Sequence, residues 1–267
     1  MTTLAYGLAA KAIVWREMLR FVHQRERFLS ALVRPLIWLI AFGAGFRGIL
    51  GLPVQAPYPT YVSYEVYMVP GLIAMIQLFN GMQSSLSMVY DREMGSMRVL
   101  LTAPLPRPAI LAVKLMAGTL VSVFQVYAFL AVAAAFGIVA PTAGYLTLMP
   151  ALLLTGMMFG AVGMLLSSTV RQLENFAGVM NFVIFPAFFF SSALYPIWKM
   201  RENSEVIAWV CLVNPFTHAV EFLRFSLYAT MNWTMLTLVL CVFAVTFLLA
   251  VRGYDPGKGL RTKGRAG

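Results

Sequence analysis

The most reactive side chains in this sequence are two histidines, two cysteines and a scatter of serines, and their spacing joins none of them into a catalytic set. His23 and His218 stand far apart, and no HExxH pattern occurs, which excludes a zinc protease of that kind. Ser84, Ser85, Ser191 and Ser192 fall in apolar runs without a plausible His or Lys base nearby. Serines in such runs ordinarily serve packing and interhelical hydrogen bonds. Cys211 and Cys241 have neither metal-ligand nor disulfide-framework spacing and read as small apolar fillers. Gly257-Lys258 lacks both the glycine five positions before Gly257 and a following Ser or Thr, so it is no Walker A loop. No catalytic residue and no metal ligand is assigned, and ATP hydrolysis would have to occur in another chain.

Uncharged polar residues inside apolar runs are the second group with chemical content. Gln77, Asn80, Ser84 and Ser87 follow one another at i, i+3, i+7 and i+10, a single helical face. Thr119, Ser122 and Gln125 mark the next run, and Asn175 and Asn181 a later one. Polar groups surrounded by lipid must face protein or a cavity. Taken singly, each is better read as glue between helices. Collectively, Gln77, Asn80, Ser84, Ser122, Gln125 and Asn181 are candidates to line a pathway. No carboxylate sits centrally in any run, which argues against a carrier driven by protons or sodium through intramembrane acids.

The elements that must position these residues follow from composition. Hydrophobic residues make up 60% of the 267, and charged residues only 11%, whereas a soluble domain carries about 25%. Most of the surface must therefore face something other than water. At roughly 20 apolar residues per crossing, the chain suffices for about six membrane spans. The runs are 29–50, 66–89, 109–139, 146–167, 174–195 and 233–251. The third exceeds a bilayer thickness and must tilt or project.

The net charge of +10 arises from 20 Lys and Arg against 10 Asp and Glu. The basic residues sit between the apolar runs and form no stripe interleaved with aromatics, so nucleic-acid binding is not expected. With the start of the chain in the cytosol, sixteen of the 20 fall on inside segments, a strong positive-inside signal that puts both termini in the cytosol. Charges continue to Arg27 and Arg34 before the first long apolar run, unlike a cleavable leader.

Three segments outside the runs carry further information. Residues 1–28 are expected to hold a basic amphipathic helix lying in the inner headgroup region: over 12–28, Val14, Trp15, Met18, Leu19, Phe21 and Val22 share one arc. Next, the spans extend over 29–251 and include a cytosolic loop at 91–107. There Met97, Leu100 and Leu101 form a short apolar face, stopped by Pro104, Pro106 and Pro108. Something should cover that face, either the protein's own spans or a soluble partner. Finally, the outer segment 196–232 is expected to form two short helices, broken at Asn214-Pro215, that cap a pathway. Residues 252–267 form a basic cytosolic tail. The fold class is thus an all-α membrane protein with six transmembrane helices, an N-terminal interfacial helix and short outer helices before the last span.

The loop and the outer segment together resemble the membrane subunits of ABC-2-type exporters, a bacterial group that includes drug, nodulation-factor and polysaccharide exporters. The resemblance is carried by Arg92-Glu93-x-Gly95-Ser96-Met97 with Leu100-Leu101 and Pro104. It continues in Phe189–Pro196 (FFSSALYP) and in Asn214-Pro215-Phe216-Thr217-His218 leading to Glu221 and Arg224. The stretch from Val22 to Trp38, with Gln77–Arg92, is similar to a subgroup of efflux permeases associated with quinoprotein alcohol oxidation. The resemblance implies a homodimer or heterodimer of such subunits in the bacterial inner membrane. Each would bind a separate ATP-binding cassette subunit that holds ATP and Mg, so no cofactor is expected in this chain.

The resemblance further implies that the loop after the second span forms a coupling helix seated in the ATPase, with Arg92, Glu93, Gly95, Met97 and Leu100 at the contact. Asn214, Pro215, His218 and Glu221 become candidates for an outer gate. The expected function is ATP-driven movement of a drug-like, lipid or glycan substrate out of the cytoplasm. The alternative from another class is a non-transporting membrane scaffold or sensor that holds a partner through the same loop, and an intramembrane enzyme ranks third.

Overall fold

A computed structural model describes the backbone of Gly7, residues 11–16, 18, 19, 25–46, 56–93, 106–170 and 173–253. The order is α1 (Arg25–Phe46), α2 (Tyr64–Glu93), α3 (Arg107–Ala135), α4 (Thr142–Thr169) and α5 (Leu173–Phe189). Three short helices follow, α6 (Ile197–Asn203), α7 (Glu205–Val213) and α8 (Pro215–Leu227), and then α9 (Trp233–Gly253). Among the described residues no extended strand occurs. Helices are what a lipid solvent permits, because each satisfies its own backbone donors and acceptors.

Four stretches are long and apolar enough to cross a membrane: Tyr64–Tyr90, Pro108–Ala135, Thr142–Thr169 and Trp233–Gly253. The α7–α8 pair, bent by 76°, would be a fifth as one broken span. α1 and α5 contribute the shorter apolar stretches Leu32–Gly43 and Asn175–Phe189. Among the described residues the structure therefore shows four to five candidate spans by length and composition, where the sequence predicts six. The two expected spans that fall short do so for different reasons. Among the described residues the apolar stretch of α1 runs over Leu32–Gly43 only. The run 174–195 stops being helical at Phe189, where the chain turns.

That turn is built by a serine. Ser191 Oγ donates to the Phe188 carbonyl at 2.6 Å and accepts from the Ala193 amide at 3.2 Å. The helix end is thereby closed by a side chain rather than by another helical turn. The long run 109–139 is likewise divided. α3 ends at Ala135, and Gly137 takes φ +82°, the left-handed conformation that glycine adopts at little cost after a helix. Over 196–232 three short helices replace the expected two. Ser204 separates α6 from α7 by accepting the Ile207 amide as an N-cap.

α2 lies at the centre, packed on α1, α3, α4, α5 and α8. It is the least apolar of the four long stretches and the most buried, while α9 is the most apolar and the least buried. The pattern is inverted relative to a soluble protein because the outer solvent here is hydrocarbon. α2 and α4 cross where both carry glycine: a Cβ on Gly81 would stand 2.8 Å from the Gly160 nitrogen. Only small residues let two backbones approach that closely. Met68, Leu72, Ile73, Phe129, Leu152 and Phe188 fill the surrounding core. Of the predicted interfacial helix, 11–16, 18 and 19 are helical, with Trp15 and Leu19 exposed; the rest of that expectation lies outside the described residues.

Candidate functional site

The motifs around Ser191 and Asn214, distant in sequence, meet in one hydrogen-bonded knot. α5 ends in carbonyls with no helical successor to bond them. Asn214, between α7 and α8, supplies the missing donors. Its Nδ2 donates to the Ala187 carbonyl at 2.7 Å and to the Phe190 carbonyl at 2.6 Å. Its Oδ1 meanwhile accepts the Phe216 amide at 3.0 Å as the N-cap of α8. One side-chain amide thus starts α8 and closes α5. Pro215 at the first helical position loses nothing by lacking an N–H.

Arg224 forms the centre of the knot and is 1% exposed. Nη2 donates to the Ser192 carbonyl at 2.9 Å, and Nη1 donates to the Tyr67 carbonyl at 2.9 Å and to the Tyr58 hydroxyl at 2.6 Å. Nε reaches Glu221 Oε1, one turn earlier, at 3.3 Å. The guanidinium also lies 3.8 Å from the centre of the Tyr67 ring, a cation–π contact. Tyr67 itself donates its hydroxyl to the Ser192 carbonyl at 3.0 Å. A buried arginine is tolerated only where its donors are met, and every branch of this one is engaged. Tyr58 precedes α2, and burial pushes its phenol above the ordinary range while the neighbouring guanidinium pulls the other way. It stays neutral, so Glu221 carries the only negative charge on Arg224 among the described residues.

Gly71 of α2 completes the contact. A Cβ there would stand 2.7 Å from the Ala193 backbone, so the Ser191–Ala193 turn lies directly on α2. His218 is half-buried, and its Nδ1 has no hydrogen-bond partner among the described residues, nor have the buried hydroxyls of Ser192 and Thr217. Among the described residues no group of three or more His, Cys, Asp or Glu could hold a metal.

The polar residues of the spans are brought together in pairs. Gln77 is buried, donates from Nε2 to the Leu152 carbonyl at 2.7 Å and accepts from Thr155 Oγ1 at 2.6 Å. Asn80 donates to Gln125 across α2 and α3. Ser122 turns back onto the Thr119 carbonyl at 2.8 Å. Ser84 packs where a Cβ on Gly118 would stand 2.7 Å from its Oγ. Asn181 instead stands on an exposed face of α5. Arg92 and Glu93 are the last residues of α2, while Gly95, Met97 and Leu100 lie outside the described residues.

The sequence pointed to Asn214, Pro215, His218 and Glu221, and placed Arg224 at the end of that motif. It missed Tyr58, Tyr67 and the Ser192 carbonyl. The available signal was the pair Glu221 and Arg224, a carboxylate and a guanidinium on one face of an otherwise apolar helix.

This is a multi-pass membrane protein, helical throughout the membrane-length elements described, whose short helices α6–α8 are tied to its span bundle. Residues 9–228 match the ABC-2 type transporter family, and the chain belongs to it. It is 29% identical over 229 residues to the putative transport permease ycf38 of Pyropia yezoensis, covering 84% of this chain and 75% of that permease. The inner membrane transport permease YadH of Escherichia coli (strain K12) is 23% identical over 267 residues, covering 96% and 98%. The probable multidrug ABC transporter permease YbhR of the same strain is 31% identical over 177 residues, covering 65% and 46%. The chain is therefore a membrane permease subunit rather than an ATPase, and ABC permeases pair with ATP-binding subunits.

Proposed function

We propose that the chain is the membrane half of an ATP-driven exporter in a bacterial inner membrane, with six spans and both termini in the cytosol. In this reading α1 and α5 cross as the first and fifth spans. α6–α8 form an outer cap, and a separate subunit binds ATP and Mg. The observation that carries the reading is the length of α2. Its 30 residues rise about 45 Å, against roughly 30 Å of hydrocarbon. Its last turns, ending in Arg92 and Glu93, extend into the cytosol as a stalk for the loop 91–107. Closure of two ATPase subunits would push on Glu93, Gly95, Met97 and Leu100, and the rigid α2 would carry that push to the outer knot.

A second copy of the chain is the expected partner in the membrane. On α5, Phe182, Phe185 and Phe189 stand at i, i+3 and i+7 and are exposed, with Asn181 beside them. Such a face suits a pathway shared between two copies. Drug-like, lipid and glycan substrates all remain compatible with it, including the cargo of permeases linked to quinoprotein alcohol oxidation.

The test is co-purification with a candidate ATP-binding subunit and ATPase assay in vesicles. Glu93→Arg with Met97→Asp should abolish capture of the ATPase while leaving the permease folded. Intact capture and transport in that double variant would sink the coupling assignment.

A further inference from the structure

The apolar stretches contain four cations; Arg252 stands in the last turn of α9, and of the other three two are provided for within the chain. Arg224 is fully bonded in the outer knot, and Lys114 is 5% exposed and engaged with a neighbour. Arg34 differs. It lies in the apolar stretch Leu32–Gly43 of α1, is exposed, and its guanidinium rests on the Phe79 ring at 3.9 Å. Among the described residues no carboxylate pairs with it. A single aromatic face returns less than a charge costs inside a bilayer, so such a residue calls for an anion.

Two further observations give that anion its shape. Arg34 borders a small open cleft of about 20 Å³ between α1 and α2, whose wall includes Pro35, Met75, Asn80 and Gln83. Asn80 and Gln83 place polar side chains beside the guanidinium. From Arg34, α1 then presents an exposed apolar stripe, Val33, Ile37 and Ile40, at i, i+4 and i+7 along the helix. A cation at the head of an apolar stripe is complementary to an amphiphile with an anionic head and an alkyl tail. With the chain entering from the cytosol, the head lies toward the inner leaflet and the tail toward the bilayer centre.

We propose that the exposed Arg34 guanidinium, at the mouth of this cleft, binds the anionic phosphate or carboxylate head of a membrane amphiphile, its tail lying along Val33, Ile37 and Ile40. The assignment needs only that the chain is membrane-embedded, so it stands or falls apart from the exporter reading. The head can belong to a resident phospholipid or to a transported amphiphile.

The purified detergent complex is offered phosphatidylglycerol or phosphatidylcholine and examined by native mass spectrometry. Wild type should retain phosphatidylglycerol in preference, and Arg34→Gln should lose about fivefold or more of that preference, the scale of one cation facing an anionic lipid. Arg34→Lys, which keeps the charge, should retain most of it and guards against misfolding as the cause. Equal retention by wild type and Arg34→Gln overturns the site, as does a loss in Arg34→Lys as large as in Arg34→Gln. Efficient Ile37→Cys cross-linking between two copies, with retention unchanged in Arg34→Gln, would assign the stripe to a subunit contact and also overturn it. A second arm follows fluorescent phosphatidylglycerol in vesicles containing the complex and its ATPase. ATP-dependent movement lost in Arg34→Gln identifies a transported amphiphile. Arg34-dependent retention without movement identifies a resident lipid.

Discussion

Arg224 donates from Nη2 to the carbonyl of Ser192 at 2.9 Å, across 32 residues of chain. The bond joins the helix that follows Asn214 to the turn that ends α5, so both outer motifs become parts of one object. Removing the guanidinium would leave the Ser192 and Tyr67 carbonyls and the Tyr58 hydroxyl short of a donor, and Glu221 without its counter-charge. Arg224→Met should destabilise the protein by about 3 kcal/mol, the scale of breaking a buried charge pair. Arg224→Lys should recover only part, because one ammonium cannot reproduce the planar fork. Thermal unfolding in detergent, with proteolysis of the outer segment, measures both. A melting temperature unchanged in Arg224→Met would refute the central role of this side chain.

Asn214 separates two tasks that alanine would confuse. Asn214→Asp keeps an oxygen to cap α8 but loses the donations to Ala187 and Phe190. If closing α5 is the larger task, Asn214→Asp should be nearly as damaging as Asn214→Ala, each by about 1–3 kcal/mol. Should Asn214→Asp match wild type in unfolding experiments, the cap alone is what matters.

Gly81 and Gly45 make a matched pair. A Cβ at Gly81 meets backbone of α4, whereas one at Gly45 meets nothing within 4 Å. Gly81→Ala should cost about 1–3 kcal/mol by forcing α2 and α4 apart, and Gly45→Ala should be neutral or slightly stabilising. Equal unfolding temperatures for the two variants would contradict the close crossing.

The bond between Gln77 and Thr155 tests whether the buried polar row is structural. A double-mutant cycle with Gln77→Leu and Thr155→Val should give a coupling of about 0.6 kcal/mol, typical of hydrogen bonds between membrane helices. Reduced transport with no coupling would instead favour a pathway-lining role for Gln77.

Tyr58 gives the knot a pH limit. Its folded phenol titrates above the ordinary value of 10.0, so the folded state favours the protonated form. That contribution is fully present below pH 10 and is lost as pH rises toward the folded value. The outer segment should therefore loosen in strong alkali, and Tyr58→Phe should remove this part of the pH dependence. Protease sensitivity measured against pH tests it, and identical alkaline profiles for the two proteins would count against it.

Composition and charge order were enough to establish a helical membrane protein, because lipid imposes a hydropathy requirement on every span and the inside rule acts on loops read in order. The motifs around Glu93, Ser191 and Asn214 were enough to point to the permease family. Helix ends were not legible: Ser191 closing α5 and Gly137 ending α3 are local backbone events inside continuous apolar runs. Nor could sequence pair Gln77 with Thr155, or Asn80 with Gln125, since each pair depends on how α2 settles against α4 and α3. For Arg224 the sequence supplied only a place at the end of the motif that begins at Asn214. The fold made it a buried hub, because α8 is bent by 76° from α7 and brings its guanidinium to the carbonyls of Tyr67 in α2 and Ser192 after α5. Covalent order determined which residues were available; packing decided which of them met.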